Sequence, residues 1–159
     1  MIVGLIVWAI IGLFVQRRKN ALALWRVINT VLSIVSFAGI LHYTVIDRTG
    51  DSAHAMPFIR TIEHIQAQPE LIREMIMNAF LFFPFGLTAP YALELAVKKN
   101  RNIILITILS ALVLSGCIEL AQRVFSFGNA ELSDIVMNTM GAAIGSVSYI
   151  GRRFPIQET

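Results

Sequence analysis

Five apolar stretches divide this chain, and polar residues return between them. The runs are Met1–Val15, about Leu22–Ile46, about Met75–Leu95, Ile103 to about Leu120, and Ile135–Ile150. A helix needs ~20 residues to cross ~30 Å of hydrocarbon. The first run is short for a span, and its amino end can sit at the interface. The apolar runs are continuous, not alternating, which argues against a membrane β-barrel. The pattern predicts an all-α membrane protein: a bundle of five transmembrane helices forming one integral membrane domain over residues 1–159.

The connections are short except for the loop Asp47–Glu74. Within it, Phe58, Ile62 and Ile65 recur at i, i+4 and i+7, with Ile59 beside them. Arg60, Glu63, His64 and Gln66 face away, and Pro57 suits a first helical turn. This predicts a short amphipathic helix lying in the interface. The alternative is a solvated loop that packs a few apolar residues on the bundle.

Composition supports the membrane reading. Charged residues make up 14% of the chain, against ~25% in a soluble domain, too few to cover a water-facing surface. The net charge of +3 does not point to nucleic acid, because Lys and Arg form short clusters beside the apolar runs. Cys117 is the single cysteine, so no internal disulfide forms, and it reads as a small buried apolar residue. No HExxH or paired-histidine spacing is present, so neither a metal nor another cofactor is expected.

The sign of the loop charge sets an orientation. The first loop carries Arg17, Arg18 and Lys19, the third Lys98, Lys99 and Arg101, and the tail Arg152 and Arg153. The second loop holds three arginines against five acids, and the fourth holds Arg123 against Glu119, Glu131 and Asp134. Basic loops face the cytoplasm, which predicts an outside amino terminus and a cytoplasmic carboxyl terminus in a multi-pass cell-membrane protein. Arg26, inside the second run, reads as snorkelling back to the basic loop.

On this frame the polar residues at membrane depth gather at the outer end. Asn78 lies on the third run. Glu119, Gln122 and Arg123 share one helix face at i, i+3 and i+4. Asp134 and Asn138 lie four apart, Asn138 about 6 Å deeper. Buried polar groups in a membrane face the bundle interior and mark function by default. Glu119 and Asp134 are candidate acid–base groups, because burial and a like-charged neighbour raise a carboxyl pKa. Asn78, Gln122, Arg123 and Asn138 are candidate binding groups around them. Each also has a structural reading, as interhelical glue or, for Asp134, a helix cap. Gly141 and Gly145 form a GxxxG on the face that carries Asn138. It serves packing within the bundle or between copies, so a homo-oligomer is one expectation. Pro84 frees the carbonyl of Phe80 and allows a kink, and the phenylalanines at 80, 82, 83 and 85 read as bilayer and core contacts.

The string Met77–Gly86, with Asn78, Pro84 and Gly86 at its key positions, resembles the Asn-x-x-x-(Leu/Phe)-x-Pro-x-Gly motif of VanZ-like membrane proteins. Ile118-Glu119-Leu120-Ala121-Gln122 is similar to their Ile-Glu-x-x-Gln, and Asp134–Gly141 to their Asp-x-x-x-Asn-x-x-Gly. Pro57–Ile62 is similar to a segment ahead of their amphipathic stretch. The resemblance covers about residues 30–150. It departs where the family often has Gly-Arg before the aspartate: here Gly128 is followed by Asn129. Either Arg123 supplies that charge or the function differs. The resemblance implies a bacterial membrane protein linked to resistance against teicoplanin, a lipoglycopeptide that acts on wall precursors outside the membrane.

Three functions fit these observations. One is recognition or modification of an envelope lipid, such as a polyprenyl-linked wall precursor, at the outer leaflet. The second is non-catalytic assembly or partner binding through the GxxxG face. The third, less favoured, is transport, for which no inverted repeat is visible.

Overall fold

The computed structural model describes residues 7–8, 11–12, 19–46, 69–97, 102–125 and 131–150. Four helices order them: α1 (Lys19–Leu41), α2 (Pro69–Val97), α3 (Ile103–Phe125) and α4 (Leu132–Ile150). A π-helical turn, His42–Ile46, continues α1. No strand occurs among the described residues. The expected interfacial helix at 57–66 lies outside them. Of the first apolar run only 7–8 and 11–12 are described, as helix.

Among the described residues, three helical stretches are long and apolar enough to cross a membrane: Leu22–Thr44, Ile72–Ala96 and Ile103–Phe125. The fifth apolar run is present as α4, which does not belong to that group. Its polar and small residues instead face α2 and α3, the neighbours that cover it. The helices also outrun their apolar cores. α2 begins at Pro69, where a proline costs nothing because the first-turn amide has no helical partner, and Asn102 accepts from the Ile106 amide at 2.8 Å at the start of α3.

Hydroxyls within the helices bond back to carbonyls one turn earlier, as Thr107 does to Ile103 at 2.9 Å and Thr139 to Ile135 at 2.7 Å. Such back-bonding satisfies a polar side chain where no water is present. Large apolar side chains point outward instead: Val35 of α1 is 61% exposed and Val113 of α3 is 64% exposed. Hydrocarbon, not water, is the solvent this surface suits.

Contacts fix the directions. Arg26, near the start of α1, meets Glu94, near the end of α2, so α1 and α2 are antiparallel. Ala79 faces Gly141, and Phe83 and Leu87 face Gly145, so α2 and α4 run parallel, with α3 returning between them. The bundle therefore has two chemically different ends. Trp25, Tyr91, Ile103 and Tyr149 form the core of one, joined by Trp8. The Trp8 and Trp25 rings lie 5.3 Å apart, and Tyr91 meets Tyr149 edge to face at 5.2 Å. Ile40, Phe82, Ala111, Ile118 and Ala142 form a second core nearer the other end.

Two expectations are corrected. Arg26 does not reach back to the basic loop; its guanidinium donates to Glu94 at 2.8 Å. A partner one helix away satisfies the charge without stretching to the interface. Cys117 is exposed, because the buried stripe of α3 runs through Ala111, Ser115, Ile118, Glu119 and Gln122 and position 117 falls outside it.

Candidate functional site

The end opposite the aromatic cluster holds the close of α1 and α3 and the start of α2 and α4. Asn78, Glu119, Gln122, Asp134 and Asn138 all lie there and all are buried. Gln122, Asn138 and Glu119 each bond to a neighbouring element.

Gln122, only 1% exposed, donates from Nε2 to the Thr44 carbonyl at 3.0 Å. That carbonyl belongs to the π-helical turn, where the altered ladder gives a side chain access to the backbone. Asn138, 2% exposed, donates from Nδ2 to Ser115 Oγ at 2.9 Å and ties α4 to α3. Glu119 Oε2 accepts from the Glu131 amide at 2.8 Å, holding the residue that leads into α4. Ser133 donates to Glu131 Oε2 at 3.0 Å, and the Asp134 amide donates to the Glu131 carbonyl at 3.1 Å.

Because α4 begins at Leu132, Asp134 sits within its first turn, not at the cap position. A carboxylate there still favours the positive end of the helix dipole. Arg123 separates from its helix neighbours: Glu119 and Gln122 point inward, while Arg123 is exposed and borders a cleft together with Glu119 and Glu131.

Three buried side-chain atoms at this end have no hydrogen-bond partner among the described residues: Asn78 Nδ2, Gln122 Oε1 and Asn138 Oδ1. A buried amide atom without a partner costs about 1–3 kcal/mol, so each of the three marks hydrogen-bonding capacity left unused at this end. One is a donor and two are acceptors, a set that suits a group able both to donate and to accept, such as a hydroxyl or an amide. Among the described residues no three His, Cys, Asp or Glu side chains gather as a metal centre.

The packing residues frame this region. A Cβ on Gly86 would collide with the Ala142 backbone, one on Gly141 with the Ala79 backbone, and one on Gly145 with the Phe83 carbonyl. Pro84 lies within the uninterrupted α2, and its carbonyl accepts from Thr88 at 2.8 Å. The glycine face of α4 is thus covered by α2, so these glycines serve packing within the bundle.

Sequence reasoning missed Thr44, Ser115, Glu131 and Ser133, the partners that hold the polar side chains. Ser115 alone had a usable signal, since it lies four residues before Glu119 and so on the same helix face.

A helical bundle with outward apolar faces and, among the described residues, three helices long and apolar enough to cross a bilayer is a membrane protein. Residues 1–154 match the VanZ/LLP1 family model, and the chain belongs to that family. Protein VanZ of Enterococcus faecium is 35% identical over 77 residues, a match covering 48% of this chain and 44% of that protein. The chain thus aligns with less than half of that relative's length. No solved structure matches the chain.

Proposed function

We propose that this protein recognises the polar headgroup of an envelope lipid, or of a lipid-linked wall precursor, at the polar end of its bundle. In this reading the site faces the outer leaflet of a bacterial cell membrane, and occupancy there underlies resistance to a glycopeptide such as teicoplanin. The carrying observation is the set of unpartnered buried amide atoms on Asn78, Gln122 and Asn138. Three helices aim polar groups inward and leave hydrogen-bonding capacity unused within the described residues, and burial of that kind persists where a ligand repays it.

Recognition is favoured over chemistry by the role of Glu119. One carboxylate oxygen accepts from the Glu131 amide, which makes Glu119 a strap between α3 and α4. The catalytic version instead assigns acid–base work to Glu119 and Asp134. Assembly through partner proteins has less support, because the glycine face that suggested it is covered by α2.

Native mass spectrometry of the purified protein with its co-extracted lipids tests the proposal. A retained phosphoprenyl lipid, lost on Asn78→Leu while the helix content stays unchanged, is the expected result. Lipid retention that ignores Asn78→Leu and Asn138→Leu overturns it. Full resistance in a Glu119→Gln, Asp134→Asn double variant excludes catalysis by these groups and leaves recognition standing.

A further inference from the structure

Beside the interior amides, on the flank between α3 and α4, lies a cleft of about 270 Å³. Glu119, Arg123 and Glu131 line its polar side, and Leu120, Leu132 and Ile135 its apolar side. Gly116 borders it as well, and a Cβ built there would meet nothing within 4 Å. The cleft thus combines both charge signs with an apolar wall.

We infer that this cleft holds the headgroup of a zwitterionic phospholipid bearing a phosphodiester and a primary ammonium. The inference rests on the lipid reading above and gives it a ligand class. Among the described lining residues two carboxylates stand against one guanidinium. A headgroup carrying only phosphate meets Arg123 but is opposed by both acids. A headgroup that adds an ammonium satisfies both signs at once. Arg123 is exposed, has no ion pair among the described residues, and presents the planar fork that suits a phosphate. Glu131 faces the cleft half-buried, one oxygen already accepting from Ser133, with acceptor capacity remaining for an ammonium. Leu120, 61% exposed, and Leu132, 56% exposed, lie where the glycerol and first acyl carbons of such a lipid pass into hydrocarbon.

A primary ammonium is required because it donates hydrogen bonds to Glu131. A choline headgroup has the same charge and no donor, so the cleft separates the two.

The test uses the full-length protein in detergent, with phosphatidylethanolamine, phosphatidylcholine and phosphatidylglycerol of identical acyl chains, and counts bound lipids by native mass spectrometry. Phosphatidylethanolamine is expected to be retained over the other two by roughly tenfold, the scale of one charge-assisted hydrogen bond at a half-exposed site. Glu131→Ala, which removes the acceptor, should erase the preference over phosphatidylcholine, and Arg123→Gln should weaken all three. Gly116→Leu should fill the cleft and abolish retention with the thermal midpoint unchanged or raised, since the added side chain enters open space. Equal retention of phosphatidylglycerol and phosphatidylethanolamine by the wild type, or full retention by Gly116→Leu, overturns the inference. Asn78→Leu reads the interior amides and Gly116→Leu reads the cleft, so failure of this inference is distinguishable from failure of the recognition reading.

Discussion

The same substitution, glycine to alanine, should have opposite effects at two positions in this bundle. At Gly141 a Cβ would collide with the backbone of Ala79, and at Gly145 it would lie 2.7 Å from the Leu87 amide nitrogen. Backbone atoms cannot rotate aside, so the helices must separate. Ordinary carbon–nitrogen contact is ~3.5 Å, so α2 and α4 must open by about 0.8 Å at Gly145, and a gap of that size forfeits roughly a quarter to a half of each dispersion contact at the crossing. Overpacking of this kind costs about 1–3 kcal/mol. Replacing glycine within a helix returns up to about 1 kcal/mol in backbone propensity. Because the overlap at Gly141 is with backbone, the cost falls in the upper part of that range, and Gly141→Ala should lose about 1–2 kcal/mol net. At Gly116 nothing lies within 4 Å of the new Cβ, so only the favourable propensity remains. Thermal unfolding in detergent, followed by tryptophan fluorescence, should place the Gly141→Ala midpoint about 2–8 °C below wild type and Gly116→Ala at or above it. Midpoints that move in the same direction by the same amount at both positions refute the close-crossing argument.

Other consequences are open to direct measurement. Arg26→Gln and Glu94→Gln should each destabilise, and the double variant should lose less than their sum, with a coupling of about 1 kcal/mol for a part-buried pair; additive losses would deny the ion pair. Glu119→Ala should increase hydrogen exchange in the segment leading into α4, whereas Glu119→Gln, which keeps an acceptor for the Glu131 amide, should not; equal exchange in both variants would deny the strap. Asn138→Ala should cost about 0.6 kcal/mol and at most ~1.7, the range of interhelical hydrogen bonds in membranes, read by denaturant titration in mixed micelles. Trp8→Phe removes the indole donor to Asn29, 3.0 Å away, and should lower the midpoint by a few degrees, because about 1 kcal/mol of hydrogen bonding goes with it; an unchanged midpoint would mean that the first apolar run does not depend on this contact.

Much of the helical plan was legible along the chain. The second, third and fourth apolar runs became α1, α2 and α3, because burying a backbone in hydrocarbon leaves a helix as the local way to pair every amide. The polar positions were legible too, since Asn78, Glu119, Gln122, Asp134 and Asn138 interrupt otherwise apolar helices. Their mutual arrangement was not. Helical spacing placed Arg123 beside Glu119 and Gln122, yet the neighbouring helices bury only the latter two. It placed Cys117 in an apolar run, but whether such a residue faces protein or lipid depends on which side the neighbours occupy. Arg26 looked like a snorkelling cation because Glu94 is 68 positions away in sequence.

By itself, the sequence determined the class of molecule: helices, apolar surface, and polar residues held to a few depths. These follow from local backbone chemistry and the solvent, and neither depends on which helix meets which. Tertiary structure decided the partners. It set α2 and α4 side by side in parallel so that Gly86, Gly141 and Gly145 bring backbones into contact. It turned Glu119 toward the Glu131 amide and gave Gln122 the Thr44 carbonyl. It also left Asn78, Gln122 and Asn138 each with an unpartnered atom among the described residues. The reason is physical: a hydrogen bond or a close crossing depends on two surfaces at once, and a single helix specifies only one of them.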